Sequence, residues 1–143
     1  MSGVNSVRSG QCACGAVTFS VRAPNTYGAC HCRMCRRWCG GVWMGIVCDE
    51  IIEIGGDITH WKSSKIGSRG SCKRCGSSIW YKPCHSKKYT FGQGLFNDQE
   101  DWTLTREIFC EDKPIHYAFT QDRQVPLTGL GTLVALLSGR LPK

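Results

Sequence analysis

The sequence predicts a small, mainly β fold of one domain, held together by metal. Three observations carry that prediction. Short apolar runs alternate with polar residues at the period of a half-buried strand. Turn-forming glycine and proline punctuate those runs, with 17 Gly and 5 Pro in 143 residues. Eleven cysteines fall mostly into three tight groups at metal-ligand spacing. A chain of this length builds a single modest core, so residues 1–143 read as one domain.

The first clear strand is the alternation of Val17, Phe19 and Val21 with Thr18, Ser20 and Arg22. VWMGIV (42–47) and IIEI (51–54) are short apolar strands, and Gly55, Gly56 and Asp57 make the turn before ITHW (58–61). SIWYK (78–82), YTFG (89–92), WTLTREIF (102–109) and IHYAF (115–119) continue the series. Only CRMCRRW (32–38) and LVALLSG (133–139) have helical character, and both are brief. The second is expected to cap the core or to pack on a partner chain. The chain contains no internal repeat, low-complexity tract or linker.

No run approaches the ~20 apolar residues of a membrane helix. The opening MSGVNSVRSGQC lacks the apolar stretch of a secretory leader, which predicts a cytoplasmic protein. A reducing compartment disfavours structural disulfides. An odd number of cysteines, many only one or two residues apart, also pairs poorly, so metal binding is the better reading. The formal charge of +7 counts every thiol as neutral. Seven thiolates contribute −7 and two Zn²⁺ contribute +4, which would leave a mildly basic +4. Residues 58–97 carry Lys62, Lys65, Arg69, Lys73, Arg74, Lys82, Lys87 and Lys88 with no Asp or Glu. Such a segment attracts anions or is simply a solvated face.

The first cysteine group is Cys12 and Cys14, directly before the Val17 strand. Residues two apart on an extended chain project to the same side, so both sulfurs can reach one ion. The second group is Cys30, Cys32 and Cys35; the third is Cys72 and Cys75, followed by Gly76. A Cys-x-x-Cys turn presents two sulfurs, and the glycine accepts the left-handed backbone that such turns need. Each group alone has an ordinary explanation as buried thiols or a redox pair, but a redox pair wants a βαβ setting that is missing here. Together the three predict zinc. Seven sulfurs divide naturally into a closed set of four and an open set of three. Joining Cys12 and Cys14 to Cys72 and Cys75 would tie distant parts of the chain together and leave Cys30, Cys32 and Cys35 with one free position. Spacing leaves other partitions open. Cys39 could close the second set, although Gly40 and Gly41 suit a helix that ends and turns away. Of the rest, Cys48 reads as core, Cys84 and His85 lie in a polar loop, and Cys110 follows the 102–109 strand.

GQCACGAVTF (10–19), CHCRMCRR (30–37), THWKSS (59–64) and RGSCKRCGSSIWYK (69–82) together resemble the glutathione-dependent formaldehyde-activating enzyme family, which includes centromere protein V-like domains. GQGLFND (92–98) and FTQDRQVP (119–126) match its later pattern more loosely. The resemblance spans 10–126 and leaves 127–143 as a C-terminal extension. It implies a tent-shaped β fold similar to Mss4 proteins. It also implies two zinc ions: a structural one on Cys12, Cys14, Cys72 and Cys75, and a second, open one on Cys30, Cys32 and Cys35. This chain departs from the family pattern at Ser71, where an aromatic residue is usual, and at Glu107, where histidine is frequent.

The implied reaction joins glutathione to formaldehyde, so the expected activity is that of a carbon–sulfur lyase or synthase acting on that adduct or a related small thiol. Three thiolates outweigh a divalent ion, which makes zinc in the second set a poor activator of water and a good carrier of an incoming sulfur. Glutathione carries two carboxylates, and Arg33, Arg36 and Arg37 lie beside the open set as candidate partners for them. His31, between two ligands, could relay a proton, but reads better as a hydrogen-bond partner behind the ligands or as a surface residue. Two other readings stand beside this one. One is a zinc-stabilised module that binds a protein or nucleic acid without catalysis; the absence of a recognition helix or aromatic RNA motif disfavours nucleic acid. The other is the same fold with a substrate unrelated to glutathione.

Overall fold

A computed structural model describes residues 5–120, 125–126 and 128–138. The chain runs through β1 (Ser6–Gln11), β2 (Thr18–Ala23), β3 (Thr26–Cys30), helix α1 (Arg33–Cys39), β4 (Trp43–Cys48), β5 (Glu50–Gly55) and β6 (Ile58–Trp61). It continues through β7 (Gly67–Cys72), β8 (Ser78–Pro83), β9 (Tyr89–Gly92), β10 (Thr103–Ile108), β11 (Val125–Pro126) and helix α2 (Gly129–Ser138). Three strands form a small antiparallel sheet in the order β1-β2-β5. The other eight form a second sheet in the order β11-β10-β3-β4-β9-β8-β7-β6. The fold is therefore mainly β with two helices. Among the described residues no helix is long and apolar enough to cross a membrane.

The alternation read at residues 17–22 is the inward face of the small sheet. Val17, Phe19 and Val21 are buried, while Thr18 and Arg22 face solvent. They pack against Ile46 and Cys48 of β4, Ile79 and Trp80 of β8 and Phe91 of β9, so the core is the contact between the two sheets. The Phe19 ring meets Phe91 at 4.6 Å and Phe96 at 5.2 Å, tilted and edge-on, geometries that aromatic rings favour. Burying three or four such side chains contributes on the order of 6–12 kcal/mol toward folding. A smaller cluster sits beside it: Cys30, Cys35 and Trp43, flanked by Trp38, Tyr81, Ile108 and Phe109.

The strands expected at 42–47, 51–54, 58–61, 78–82, 89–92 and 102–109 all form, within a residue or two of their expected ends. Two expectations need correction. IHYAF (115–119) is not a strand. Pro114 offers no backbone donor, and the alternating aromatics serve a different partner: Tyr117 and Phe119 stack on the His31 ring at 5.5 and 6.0 Å. The last helix begins before LVALLSG, at Gly129. Thr128 caps it, accepting from the Gly131 N–H on its Oγ1 at 3.1 Å, a donor that a helix start otherwise leaves unmet. Leu130, Leu133 and Val134 on this helix are exposed, while Gly129 and Thr132 are buried. Gly139 lies outside the described residues.

Candidate metal centres

The loops after β1 and β7 are built alike. After β1, Cys12 N–H donates to Val17 O at 3.0 Å, and Gly15 turns back on the Cys12 carbonyl with φ 78°. After β7, Cys72 N–H donates to Ser77 O at 2.9 Å, and Gly76 does the same with φ 77°. A side chain with a Cβ rarely adopts that backbone, which is why glycine follows each cysteine pair. In each loop a backbone N–H also points at the first sulfur: Val17 N to Cys12 Sγ at 3.2 Å, and Cys75 N to Cys72 Sγ at 3.5 Å.

The two loops meet. The Sγ atoms of Cys12, Cys14, Cys72 and Cys75 all lie within 4.8 Å of one another. Cys12 and Cys14 Sγ are 3.6 Å apart, and Cys14 and Cys72 Sγ 3.9 Å. A tetrahedron with metal–sulfur bonds of about 2.3 Å has sulfur–sulfur edges of about 3.8 Å. The donor set and its spacing therefore fit a tetrahedral thiolate ion. Ser77 clamps the pair of loops, accepting from Ala13 N–H at 3.0 Å and donating to Cys75 Sγ at 3.1 Å. That hydrogen bond holds the exposed Cys75 thiol down to about 5.

The second group forms where β3 passes into α1. Cys30 ends the strand, Cys32 caps the helix and accepts from Cys35 N–H at 3.3 Å, and Cys35 is the helix's one buried residue. Their three Sγ atoms also lie within 4.8 Å of one another. Packed so closely, with only the Arg69 guanidinium beside Cys35 as a positive charge, the three thiols cannot all ionise. Hydrogen bonding from the neighbouring sulfurs raises Cys30, while Cys32 is lowered because its thiolate accepts from Cys30 and Cys35. A divalent ion removes that conflict, which is the sense in which this donor set also fits a metal. Among the described residues no fourth His, Cys, Asp or Glu joins the group.

Cys39 stands apart from it. The helix ends on Gly40 in the left-handed region at φ 79°, and the exposed Cys39 thiol donates to Gly41 O at 3.1 Å. Cys48 is core, as expected, and burial pushes its thiol up to about 12. Cys84 is exposed at the end of β8 and donates to Lys65 O.

The three arginines beside the second group take different places. Arg36 folds back, its Nε donating to His31 O at 2.9 Å and its Nη2 to Asp112 O at 3.3 Å. Arg33 and Arg37 are exposed. His31 is fully buried, with Nδ1 2.7 Å from Tyr117 Oη and Nε2 2.7 Å from Glu107 Oε1. It is a brace between β3, β10 and the 113–119 segment rather than a surface residue. Glu107, a departure from the family pattern, is thereby engaged. The residue that sequence reasoning missed is Arg69, whose guanidinium reaches Cys35 Sγ. Its signals in the sequence were membership of the acid-free segment and its place at the start of the RGSCKRCGSSIWYK stretch (69–82), neither of which marks a buried side chain.

Comparison with known proteins bears on all of this. The sequence profile of a family described as "Glutathione-dependent formaldehyde-activating enzyme" matches residues 7–112. An uncharacterised lyase of Schizosaccharomyces pombe is 28% identical over 115 residues, covering 77% of this chain and 83% of that protein. A Halomonas elongata protein, assigned by name to the glutathione-dependent formaldehyde-activating enzymes, is 34% identical over 83 residues, covering 50% of this chain and 53% of that one. The crystal structure of a Rhodobacter sphaeroides protein superposes with a TM-score of 0.52 at 19% identity, covering 84% of this chain and 99% of the other. That last likeness concerns the fold alone.

Proposed function

The chain belongs to the glutathione-dependent formaldehyde-activating enzyme family, and from that premise we propose that it is a zinc-dependent carbon–sulfur lyase or synthase acting on a glutathione–formaldehyde adduct or a related small-thiol adduct. One observation carries the reading: three cysteine sulfurs converge at Cys30, Cys32 and Cys35, and no fourth protein ligand joins them among the described residues. Three protein ligands leave a zinc position for substrate, whereas four close it. On this reading Cys12, Cys14, Cys72 and Cys75 hold a structural zinc, and Cys30, Cys32 and Cys35 hold the second.

Zinc in the three-sulfur set would supply a site at which a bound thiol is deprotonated at neutral pH. The substrate sulfur then adds to the aldehyde carbon; the C–S bond forms as the carbonyl π pair moves to oxygen. The proton lost by the thiol is matched by the one the new alkoxide takes up, so no oxidant or reductant enters. Arg33 and Arg37, exposed on α1, are on this reading the partners of the glutathione carboxylates. Arg36 is already committed to two backbone carbonyls, so its role is to hold the Cys30–Cys32 segment.

The test is direct. Zinc-loaded protein is titrated with glutathione by calorimetry, and adduct formation with formaldehyde is followed by NMR. Stoichiometric binding and a rate above the uncatalysed reaction are expected. Absence of both would overturn the reading. Replacing Arg33 and Arg37 together with Gln should raise KM for glutathione by roughly tenfold with little change in kcat, the signature of lost carboxylate contacts.

A further inference from the structure

Of the eight cations between residues 58 and 97, Arg69 is the one that is buried, at 5% exposure. It lies on β7 directly across from Tyr81 on β8. Its guanidinium carbon is 4.8 Å from the Trp38 ring centroid and 5.1 Å from that of Tyr81. Nε donates to Ser63 Oγ at 3.2 Å. Both terminal nitrogens donate to Cys35 Sγ, each at 3.5 Å. Two rings and a hydroxyl thus fix the plane of the fork, and the fork is aimed at one sulfur.

A cation taken out of water needs an anion beside it. Among the described residues no carboxylate pairs with Arg69, and its stretch of chain contains none. The anion it meets is the sulfur group. Three thiolates around a divalent ion carry a net charge of −1, which would repel a fourth anionic ligand. The buried guanidinium cancels that charge, so an incoming thiolate approaches a neutral assembly. It also opposes excess charge on Cys35 through hydrogen bonds that strengthen when the acceptor is ionised.

We propose that Arg69 is a positioning residue of the second sulfur group: it orients Cys35 Sγ and sets the preference of the fourth position for an anionic sulfur over a neutral ligand. This rests on the three-sulfur set holding a divalent ion, as proposed above. A purely structural arginine would affect all fourth ligands alike, and ligand charge separates the two roles.

The experiment uses Co²⁺ as a spectroscopic ion in wild type, Arg69→Met and Arg69→Lys. Each protein is titrated at alkaline pH with 2-mercaptoethanol, whose thiolate is its only charge, and separately with neutral imidazole. Binding is read from the cobalt ligand-field and sulfur-to-cobalt bands, independent of turnover. Arg69→Met should weaken thiolate binding roughly 10- to 100-fold, the worth of a charged hydrogen bond, and leave imidazole within about twofold. Arg69→Lys restores the charge without the fork and should recover part of the loss. Equal weakening for both ligands, or no change for either, would overturn the proposal. If Arg69→Met loses the spectrum of the four-sulfur set and so has not folded, Arg69→Gln, which keeps N–H donors without charge, carries the same comparison. Wild type that takes up one cobalt per chain would overturn the reading of the second group itself. Two cobalts with an indifferent Arg69 would overturn only this inference.

Discussion

Two sulfur groups lie in one small domain, and they are built on different principles. The four-sulfur group joins the loop after β1 to the loop after β7, so it ties the small sheet to the large one. Two of its sulfurs are buried and two exposed, and its neighbours are backbone N–H groups and the Ser77 hydroxyl. The three-sulfur group comes from a single six-residue stretch, 30–35, and is set among Trp38, Trp43, Tyr81 and the buried Arg69. Long sequence separation gives the first group leverage over the fold, because closing a long loop removes the most freedom from the unfolded chain. The second closes almost no loop, so a metal there would add little cross-linking; its charged and aromatic surroundings instead suit it to hold a ligand.

The largest effect should come from the first group. Cys72→Ser is expected to lose one metal and the cooperative thermal transition together, followed by circular dichroism and metal analysis. Metal binding couples to folding with apparent energies of about 10–16 kcal/mol in zinc-finger peptides, comparable to the whole stability of a small domain. Cys35→Ser should lose the other metal and the proposed activity yet keep the transition, at a cost of about 1–3 kcal/mol because the buried Arg69 faces a neutral hydroxyl in place of an ionisable sulfur. If both variants unfold alike, the division into fold-holding and ligand-holding groups is wrong.

Much of this contrast was legible in the chain before any coordinates. Ligand spacing is local, so Cys12/Cys14, Cys30/Cys32/Cys35 and Cys72/Cys75 stood out, and the distance between groups suggested which would close the fold. Strands with alternating apolar residues were equally plain. β7 was not, because GSRGSC turns Gly67, Arg69, Gly70 and Cys72 inward and shows no apolar period. The same blindness hid Arg69: a buried arginine looks like its exposed neighbours until the strand pairing places it across from Tyr81. The 115–119 segment failed in the opposite way. Its alternation was real, but the face it made stacks on His31 rather than pairing its backbone into a sheet.

That stacking leads to an intermediate effect. His31 lies between two proposed ligands, fully buried, and meets Glu107 and Tyr117 at 2.7 Å each. Glu107→Ala leaves a buried ring nitrogen without its partner, which should cost about 1–3 kcal/mol in urea unfolding. Because β10 runs parallel to β3 and carries Glu107 against Ala29, the loosened contact adjoins Cys30. The second metal should therefore dissociate faster in a chelator chase, while the four-sulfur metal keeps its rate. Equal acceleration of both would indicate general destabilisation and remove His31 from the account of the second group.

The smallest effect tests the openness of that group. Cys39 is the last residue of α1, one helical turn beyond Cys35 and on the same face of the helix. The helix ends directly after it. Gly40 adopts φ 79°, its N–H returns to Arg36 O at 2.8 Å, and the Cys39 thiol is exposed and turned to the Gly41 carbonyl. Serine can make the same hydrogen bond, so Cys39→Ser should change stability by less than about 0.5 kcal/mol, as exposed substitutions do. Metal content should remain at two per chain, with glutathione affinity unchanged. Loss of the second metal on this substitution would mean that Cys39 swings in as a fourth ligand. The three-sulfur group would then be closed like the other, and the contrast between the two, with the chemistry assigned to it, would fall.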